Sequence, residues 1–412
     1  MEKKAVYKKP LVLYLHHCPI EYEYKQYPGL RDLFNELLKK YRVAYFSMNG
    51  PTPPNEKLRA GIKVLTLPFS IDTSNSRDKW IKTGLWYLLM PLVVSKLKKL
   101  KPDYIISKES HPLIPSVIAR LGIPMIIDVE DWWWTIFFGA TKIGDKISYI
   151  LEKIEVSDWA KFKTTVVVHS KTDVDILEEK GMPRERIKVV NFPAYKGAYF
   201  PCNADDIRKK LGFGKDTFVV STHGVIRKSK GYEQILDWWR KLIKIHPNWK
   251  LLIIGGAGGE KTLKEKSRRL GIQRNVIMPG WLPTHEDVNK YLNASDCLLV
   301  TRRNTRENLG LIPSALFHSL SLGKPTLATG NPAFSEVIEH KKSGYLFEPD
   351  NYESFKSLLE YIESHPKEAK KVAKQGIKRA DECFSPENAK RKFFDIVDEE
   401  LSKKLSLKQK II

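Results

Sequence analysis

The chain has 412 residues, a length that favours two domains over one. With 42% hydrophobic and 29% charged residues it has an ordinary globular composition, which excludes disorder and collagen-like structure. The formal charge of +22 is shared by both halves, which excludes a single basic tail and points to a polyanionic partner: nucleic acid, an anionic membrane or a phosphorylated ligand. Along the chain, short apolar runs alternate with longer helical patterns. The predicted strands of the first half are Leu11–Leu15, Val43–Ser47, Lys63–Thr66, Tyr104–Ser107, Met125–Asp128, Thr165–His169 and Ile187–Val190. Predicted helices include Leu30–Lys40 and Leu113–Leu121. The second half continues with strands Thr217–Thr222, Lys250–Gly255, Asn275–Met278, Cys297–Val300 and Pro325–Ala328. Its helices are Tyr232–Ile245, Lys261–Leu270, Asp287–Leu292, Ser314–Leu322 and Tyr352–Ile362. Such alternation predicts an α/β fold with parallel sheets covered on both faces. Two such runs, joined near Asn191–Asp205, predict two doubly wound Rossmann-like domains facing across a cleft, with ligands beyond the carboxyl ends of the strands. The expected boundaries are 1–195 and 200–385, followed by a charged helix at 386–412.

Four cysteines, Cys18, Cys202, Cys297 and Cys383, lie far apart without a C-x-x-C pair. That spacing argues against a zinc site or a disulfide framework and fits a reducing cytoplasm. Leu11–Leu15 is too short for the core of a signal peptide, and no run reaches the ~18–20 apolar residues of a spanning helix. The nearest is Gly84–Val94, flanked by Arg77, Lys79, Lys82, Lys96, Lys98, Lys99 and Lys101 against Asp78. Two readings stand for it: an interfacial helix on an anionic membrane, or a core helix with a solvated basic end.

Recognisable motifs concentrate in the second half. GVIRKSKGYEQIL follows a strand and opens a helix; a glycine turn, Gly255–Gly259, follows the next strand; and IPSALFHSLSLGKPTLATGNPAFSEVIEHKKSGYLFEPDN completes the order. This order resembles the donor-binding domain of GT-B glycosyltransferases, specifically the large retaining family numbered four. KPDYIISKES, ARLGIPMIIDVEDWW and VVVHSKTDVDILEEKGMPRERIKVVNFPAY resemble, more loosely, the acceptor domain of that family. ECFSPENAKRKFFDIVDEEL resembles its closing helix, which in the family crosses back onto the first domain.

The resemblance implies a donor that is a nucleoside-diphosphate sugar, whose diphosphate gains negative charge as the glycosidic bond breaks and so needs cations and N–H donors. Lys230 matches the family's diphosphate lysine. The family's usual arginine is replaced by Val225, and Arg227 stands two residues later. The turn containing Gly256 lets backbone approach a ligand, and lacks the order expected of an NAD site. Trp281 falls where the nucleobase pocket begins; it either covers the base or belongs to the core. Aligned on Gly323-Lys324-Pro325, the family's two glutamates become Gly310 and His318. Anchoring on Glu307 instead puts Ala315 at the second position. A branch of the family carries P-S-K-x-x-E here, so Ser314 would open a helix toward phosphate, with Ala315 for lysine and His318 placed for the ribose.

In the first half, Asp128-Val129-Glu130-Asp131 ends a strand ahead of Trp132-Trp133-Trp134. Related enzymes have a D-V-H-D-type segment here, so Glu130 matches a histidine position, and Glu130 or Asp131 is expected to orient or deprotonate an acceptor hydroxyl. The tryptophans would stack a sugar or face a lipid. Carboxylates spaced like D-x-D also fit metal-assisted transfer, an arrangement that a second nucleotide-type domain argues against. His16-His17-Cys18 falls at the family's acceptor loop. The expected function is therefore metal-independent transfer of a sugar from a nucleotide sugar to a saccharide or lipid-linked acceptor, with retention implied by the resemblance. No cofactor is expected. Cytoplasmic location, with peripheral contact at an anionic inner membrane face and no nucleic-acid partner, completes the expectation. Two rivals remain: a GT-B sugar-nucleotide epimerase, and a non-catalytic partner whose donor site has decayed, as Val225, Ala315 and His318 permit.

Overall fold

The computed structural model describes residues 9–16, 18–21, 29–47, 61–67, 84, 87–108, 112–138, 141–162, 164–191, 197–256 and 258–409. The chain divides into two compact units, Met1–Val190 with Glu387–Ile412, and Asn191–Pro386.

The first unit contains strands β1 (Leu11–His16), β2 (Arg42–Ser47), β3 (Ile62–Thr66), β4 (Tyr104–Lys108), β5 (Met125–Asp128), β6 (Thr165–Val168) and β7 (Ile187–Val189). Its helices, in chain order, are α1 (Gly29–Lys40), α2 (Met90–Leu100), α3 (Ile114–Ala119), α4 (Trp133–Phe138), α5 (Lys142–Lys161) and α6 (Lys171–Glu179). The sheet order is β3-β2-β1-β4-β5-β6-β7, and every pairing is parallel. Strands buried on both faces read as near-continuous apolar runs, and LVLYLH of β1 is buried throughout. Leu11, Leu13 and Leu15 feed one core layer, while Val12 and Tyr14 feed the other.

The second unit contains β8 (Val219–His223), β9 (Lys250–Ile254), β10 (Val276–Gly280), β11 (Cys297–Val300), β12 (Thr326–Thr329) and β13 (Tyr345–Phe347). Its helices are α7 (Asp205–Lys210), α8 (Tyr232–Ile245), α9 (Glu260–Arg269), α10 (His285–Asn293), α11 (Ser314–Ser321), α12 (Pro332–Val337), α13 (Tyr352–Ser364) and α14 (Pro366–Phe384). The order β10-β9-β8-β11-β12-β13 repeats the pattern of the first sheet. Each sheet thus reverses direction of travel once, between β1 and β4 and between β8 and β11, and the crevice beyond such a switch point is where ligands of these sheets sit.

The closing helix α15 (Pro386–Gln409) belongs to the first unit from Glu387 onward. Ala389, Phe393, Val397 and Leu401, four apart on one stripe, join the layer of Val12, Tyr14 and Phe34. The Tyr41 hydroxyl donates to Asp398, and Lys40 pairs with the same carboxylate at 3.1 Å.

Among the elements that the sequence reading does not name, three have a clear physical reason. β13 is only three residues long. α14 runs directly on from α13 through the Ser364–Pro366 junction, and its pattern carries many lysines. α5 hides because its buried face holds Gly144, Ser148, Glu152 and Glu155, while its isoleucines point outward. As for Gly84–Val94, the basic flank Arg77–Lys82 lies outside the described residues. The helix α2 that covers its end buries Met90, Val93 and Leu97 and leaves Leu92 exposed.

Candidate functional site

Two polar clusters stand at the carboxyl ends of the strands, one in each unit. In the first, β1 ends at His16, β4 at Lys108 and β5 at Asp128, while His169 follows β6. His169 Nε2 lies 3.2 Å from Asp128 Oδ1, and its Nδ1–H donates to the Val190 carbonyl at 2.7 Å. Lys108 Nζ pairs with Glu130 Oε1 at 2.7 Å. Burial works against charging His169, but the bond and charge of Asp128, with Glu130 behind it, raise it to about 9. Burial likewise works to raise Asp128, yet the bond to His169 and the charges of His169, Lys108 and His16 hold it below the usual carboxylate value. The cluster is therefore ionised and internally balanced. Donor atoms of Asp128, Glu130 and His169 lie within 4.8 Å of one another, close enough to share a cation, with the Lys108 ammonium already supplying positive charge to Glu130.

Asp131 sits partly buried at the bend before α4. Of the expected stacking aromatics, two are tied down. Trp132 Nε1–H donates to Asp173 at 3.0 Å, and its ring lies 3.4 Å from Lys180 Nζ. Lys180 in turn pairs with Glu152 at 2.9 Å in the interior. Trp134 Nε1–H donates to Glu155 at 2.9 Å, and the Leu113 N–H donates to the same carboxyl at 2.7 Å. Burial pushes Glu155 up to about 7, against those two hydrogen bonds. These indoles report on the support of the pocket lined by Asp128, Glu130, Asp131 and Glu155 rather than on a free stacking platform.

The second cluster surrounds the end of β8. Lys230 lies in a 3-10 turn, Lys228–Lys230, that Gly231 (φ 74°) converts into α8. Burial pushes the Lys230 ammonium well down, and Arg302 and Arg227 push it further. Arg302, just after β11, is buried, whereas Arg227 is exposed. The backbone is drawn in close: a Cβ at Gly224 would stand 2.9 Å from Lys230 Nζ, and one at Gly255 would stand 2.0 Å from the Gly224 carbonyl. Gly256, buried next to Trp281, accepts the Ile226 N–H through its carbonyl at 2.9 Å. Trp281 is 65% exposed, which removes the core alternative for it.

Gly310 is buried in the bend before α11, and Ser314 opens that helix at an exposed N-terminus. His318, four residues on, is buried with its Nδ1 3.0 Å from His223 Nε2. Its ring stacks on Tyr199 at 3.7 Å, and the Tyr199 hydroxyl bonds His285 Nδ1 at 2.8 Å. Burial first, then Lys230 and His285, lowers His223 to about 3; burial first, then the nearby imidazoles of His223 and His285, holds His318 well below its ordinary value. One His318 nitrogen is thus committed to a protein partner, which leaves only Nε2 for a ligand.

The structure brings Lys230 and Arg227 together, sets Glu130 beside Lys108, and adds Lys108, His169, Tyr199, His223, His285 and Arg302, which the sequence reading missed. Lys108, His223 and Arg302 each end or follow a strand, the one signal that would have found them.

Residues 203–379 match the family described as Glycosyl transferases group 1. The mannosyltransferase LpsB of lipopolysaccharide core biosynthesis from Rhizobium meliloti is 24% identical over 199 residues, which is 46% of this chain and 54% of that protein. An alpha-monoglucosyldiacylglycerol synthase from Streptococcus pneumoniae is 28% identical over 145 residues, 35% of this chain and 32% of that one. The chain spans about half the length, or less, of these curated relatives. The crystal structure of Anabaena HepE with UDP and glucose superposes with a TM-score of 0.70 at 17% identity, covering 94% of this chain and 99% of HepE. Residues 203–379, in the second unit, thus carry the match to the group 1 glycosyl transferases, and the two parallel Rossmann-like sheets of seven and six strands give the chain a GT-B-like fold.

Proposed function

We propose that the protein is a glycosyltransferase that takes its sugar from a nucleoside diphosphate bound on the second unit. The observation that carries this reading is the meeting of Arg227, Lys230 and Arg302 after the neighbouring strands β8 and β11, where the two guanidinium groups add to burial in lowering Lys230. A diphosphate beside these cations is attracted when bound and more strongly as it gains charge on departing. Protein cations then meet the need that a divalent metal meets elsewhere, so transfer runs without one. In the first unit, Glu130 and Asp131 line a pocket beside an ionised Asp128–His169 pair and would orient the acceptor hydroxyl. The named activities of LpsB and of the glucolipid synthase support a saccharide or lipid-linked acceptor. Retention follows the family resemblance.

Calorimetric titration with UDP, and with other nucleoside diphosphates, tests the donor site directly. Binding that disappears in Lys230→Ala supports the reading. A chain that binds no nucleoside diphosphate would instead be the non-catalytic partner that the His318–His223 bond favours. Donor supplied without acceptor separates transfer from epimerisation, because only an epimerase releases an isomerised sugar under those conditions.

A further inference from the structure

Helix α5 turns outward a face that a water-facing helix does not need. Nine of its twenty residues are exposed: Lys142, Ile143, Lys146, Ile147, Ile150, Lys153, Ile154, Ser157 and Lys161. Four are isoleucines, spaced four, three and four apart, and exposed between 42% (Ile147) and 73% (Ile143). Four more are lysines, and none is acidic. The helix does contain acids, but Glu152 and Glu155 are buried, and Asp145 and Asp158 are only partly exposed. Among the described residues, no carboxylate lies within ion-pair reach of Lys142, Lys146 or Lys153.

We infer that this face is a docking surface for a bilayer carrying anionic headgroups. Isoleucines would enter the acyl boundary while the lysine stems run up to the phosphates beside them, the division of labour of an interfacial helix. Charge selects this occupant over a second copy of the chain, which would bring the same lysines against these across a two-fold axis. The opposite side of α5 supplies Glu152, Glu155 and Trp159 to the pocket that contains Glu130 and Asp131. Docking on the outer face therefore holds that pocket about one helix diameter, ~10 Å, from the headgroups. That distance suits an acceptor hydroxyl displayed on a lipid. The lipid-borne acceptor rests on the proposed transfer reaction; the docking itself does not.

Flotation of the full chain with vesicles tests it. The chain should float with phosphatidylcholine–phosphatidylglycerol vesicles, stay behind with phosphatidylcholine alone, and be released by high salt. The double substitutions Ile147→Ser/Ile150→Ser and Lys146→Glu/Lys153→Glu fall on exposed positions. Each should weaken partitioning about tenfold or more. Unchanged circular dichroism and unchanged UDP titration would show that fold and donor site are intact. Variants that float like the parent chain overturn the inference, as does a parent chain that ignores anionic vesicles. So does a solution dimer that the isoleucine substitutions dissociate without affecting flotation.

Discussion

The two units share a strand order and place their polar clusters beyond equivalent strand ends, yet those clusters solve opposite electrostatic problems. In the first, Asp128 faces His169 and Glu130 faces Lys108, so each buried charge has a protein partner. In the second, Lys230 is pressed by Arg302 and Arg227, and the imidazoles of His223 and His318 stay neutral beside it. Paired charges can hold or move a proton without a ligand, whereas a buried lysine crowded by other cations gains when an anion arrives. Same scaffold, different debts.

The largest effect expected from breaking this contrast is at Lys230. Lys230→Met should cut transfer by about 10²–10³-fold, the size of losing one preorganised donor to a developing charge. Without ligand the variant should melt no lower than the parent, because the substitution removes a cation from among cations. Parallel calorimetry and melting curves check this; a large drop in the melting temperature with UDP affinity intact would contradict it. Asp128→Asn should behave in the reverse way. It strips the carboxylate from His169, so stability near neutral pH falls by about 2–3 kcal/mol, seen in urea unfolding, while UDP affinity stays unchanged.

The fold was largely legible because buried parallel strands write continuous apolar runs that twelve of these segments obey. Lys230 and Arg227 stand inside a motif, which is why the sequence alone could nominate them. What sequence could not show is pairing. The Asp128–His169 and Glu130–Lys108 partners are contributed by strands far apart in the chain, and nothing local marks them. His318 looked available for a ribose, and only the fold reveals that His223 and Tyr199 already claim one nitrogen and one ring face. The sequence reading left α5 unnamed; its outward isoleucines go against the usual rule that apolar residues at helical spacing face the core.

A smaller effect sharpens the contrast at His318. His318→Glu would place a carboxylate against His223 and within the cation-rich cluster, importing into the second unit the kind of pair the first unit has. His223 should then titrate upward from about 3, as followed by its ring resonances. A ribose hydroxyl gains a charged acceptor, so UDP should bind about tenfold more tightly. If His223 does not move, the two side chains are not in contact.

The smallest effect is also the most general, because the shifts in the two units have opposite signs. In the first unit His169 is raised to about 9 and Glu155 to about 7, so the folded state holds more protons than the unfolded one between roughly pH 4.5 and 9. The His169 contribution is fully present below its unfolded value of about 6.5 and is lost as pH rises through 9; that of Glu155 declines from about 4.5 to 7. In the second unit His223 is lowered to about 3 and Lys230 is lowered well below its ordinary value. There the unfolded state holds more protons, so stability falls as pH drops from about 6.5 toward 3; for Lys230 it rises with pH above its lowered folded value and levels off as unfolded lysine releases its proton at about 10.4. Each group changes its own unit by on the order of 1 kcal/mol per pH unit inside its window. Hydrogen exchange, corrected for intrinsic rates, reads the units separately through β1 and β4 on one side and β8 and β11 on the other. Raising pH from 7 to 8.5 should loosen the first pair relative to the second, and lowering it from 6.5 to 5 should loosen the second relative to the first. Protection that shifts in the same direction in both sheets would mean that their polar clusters are not electrostatic opposites.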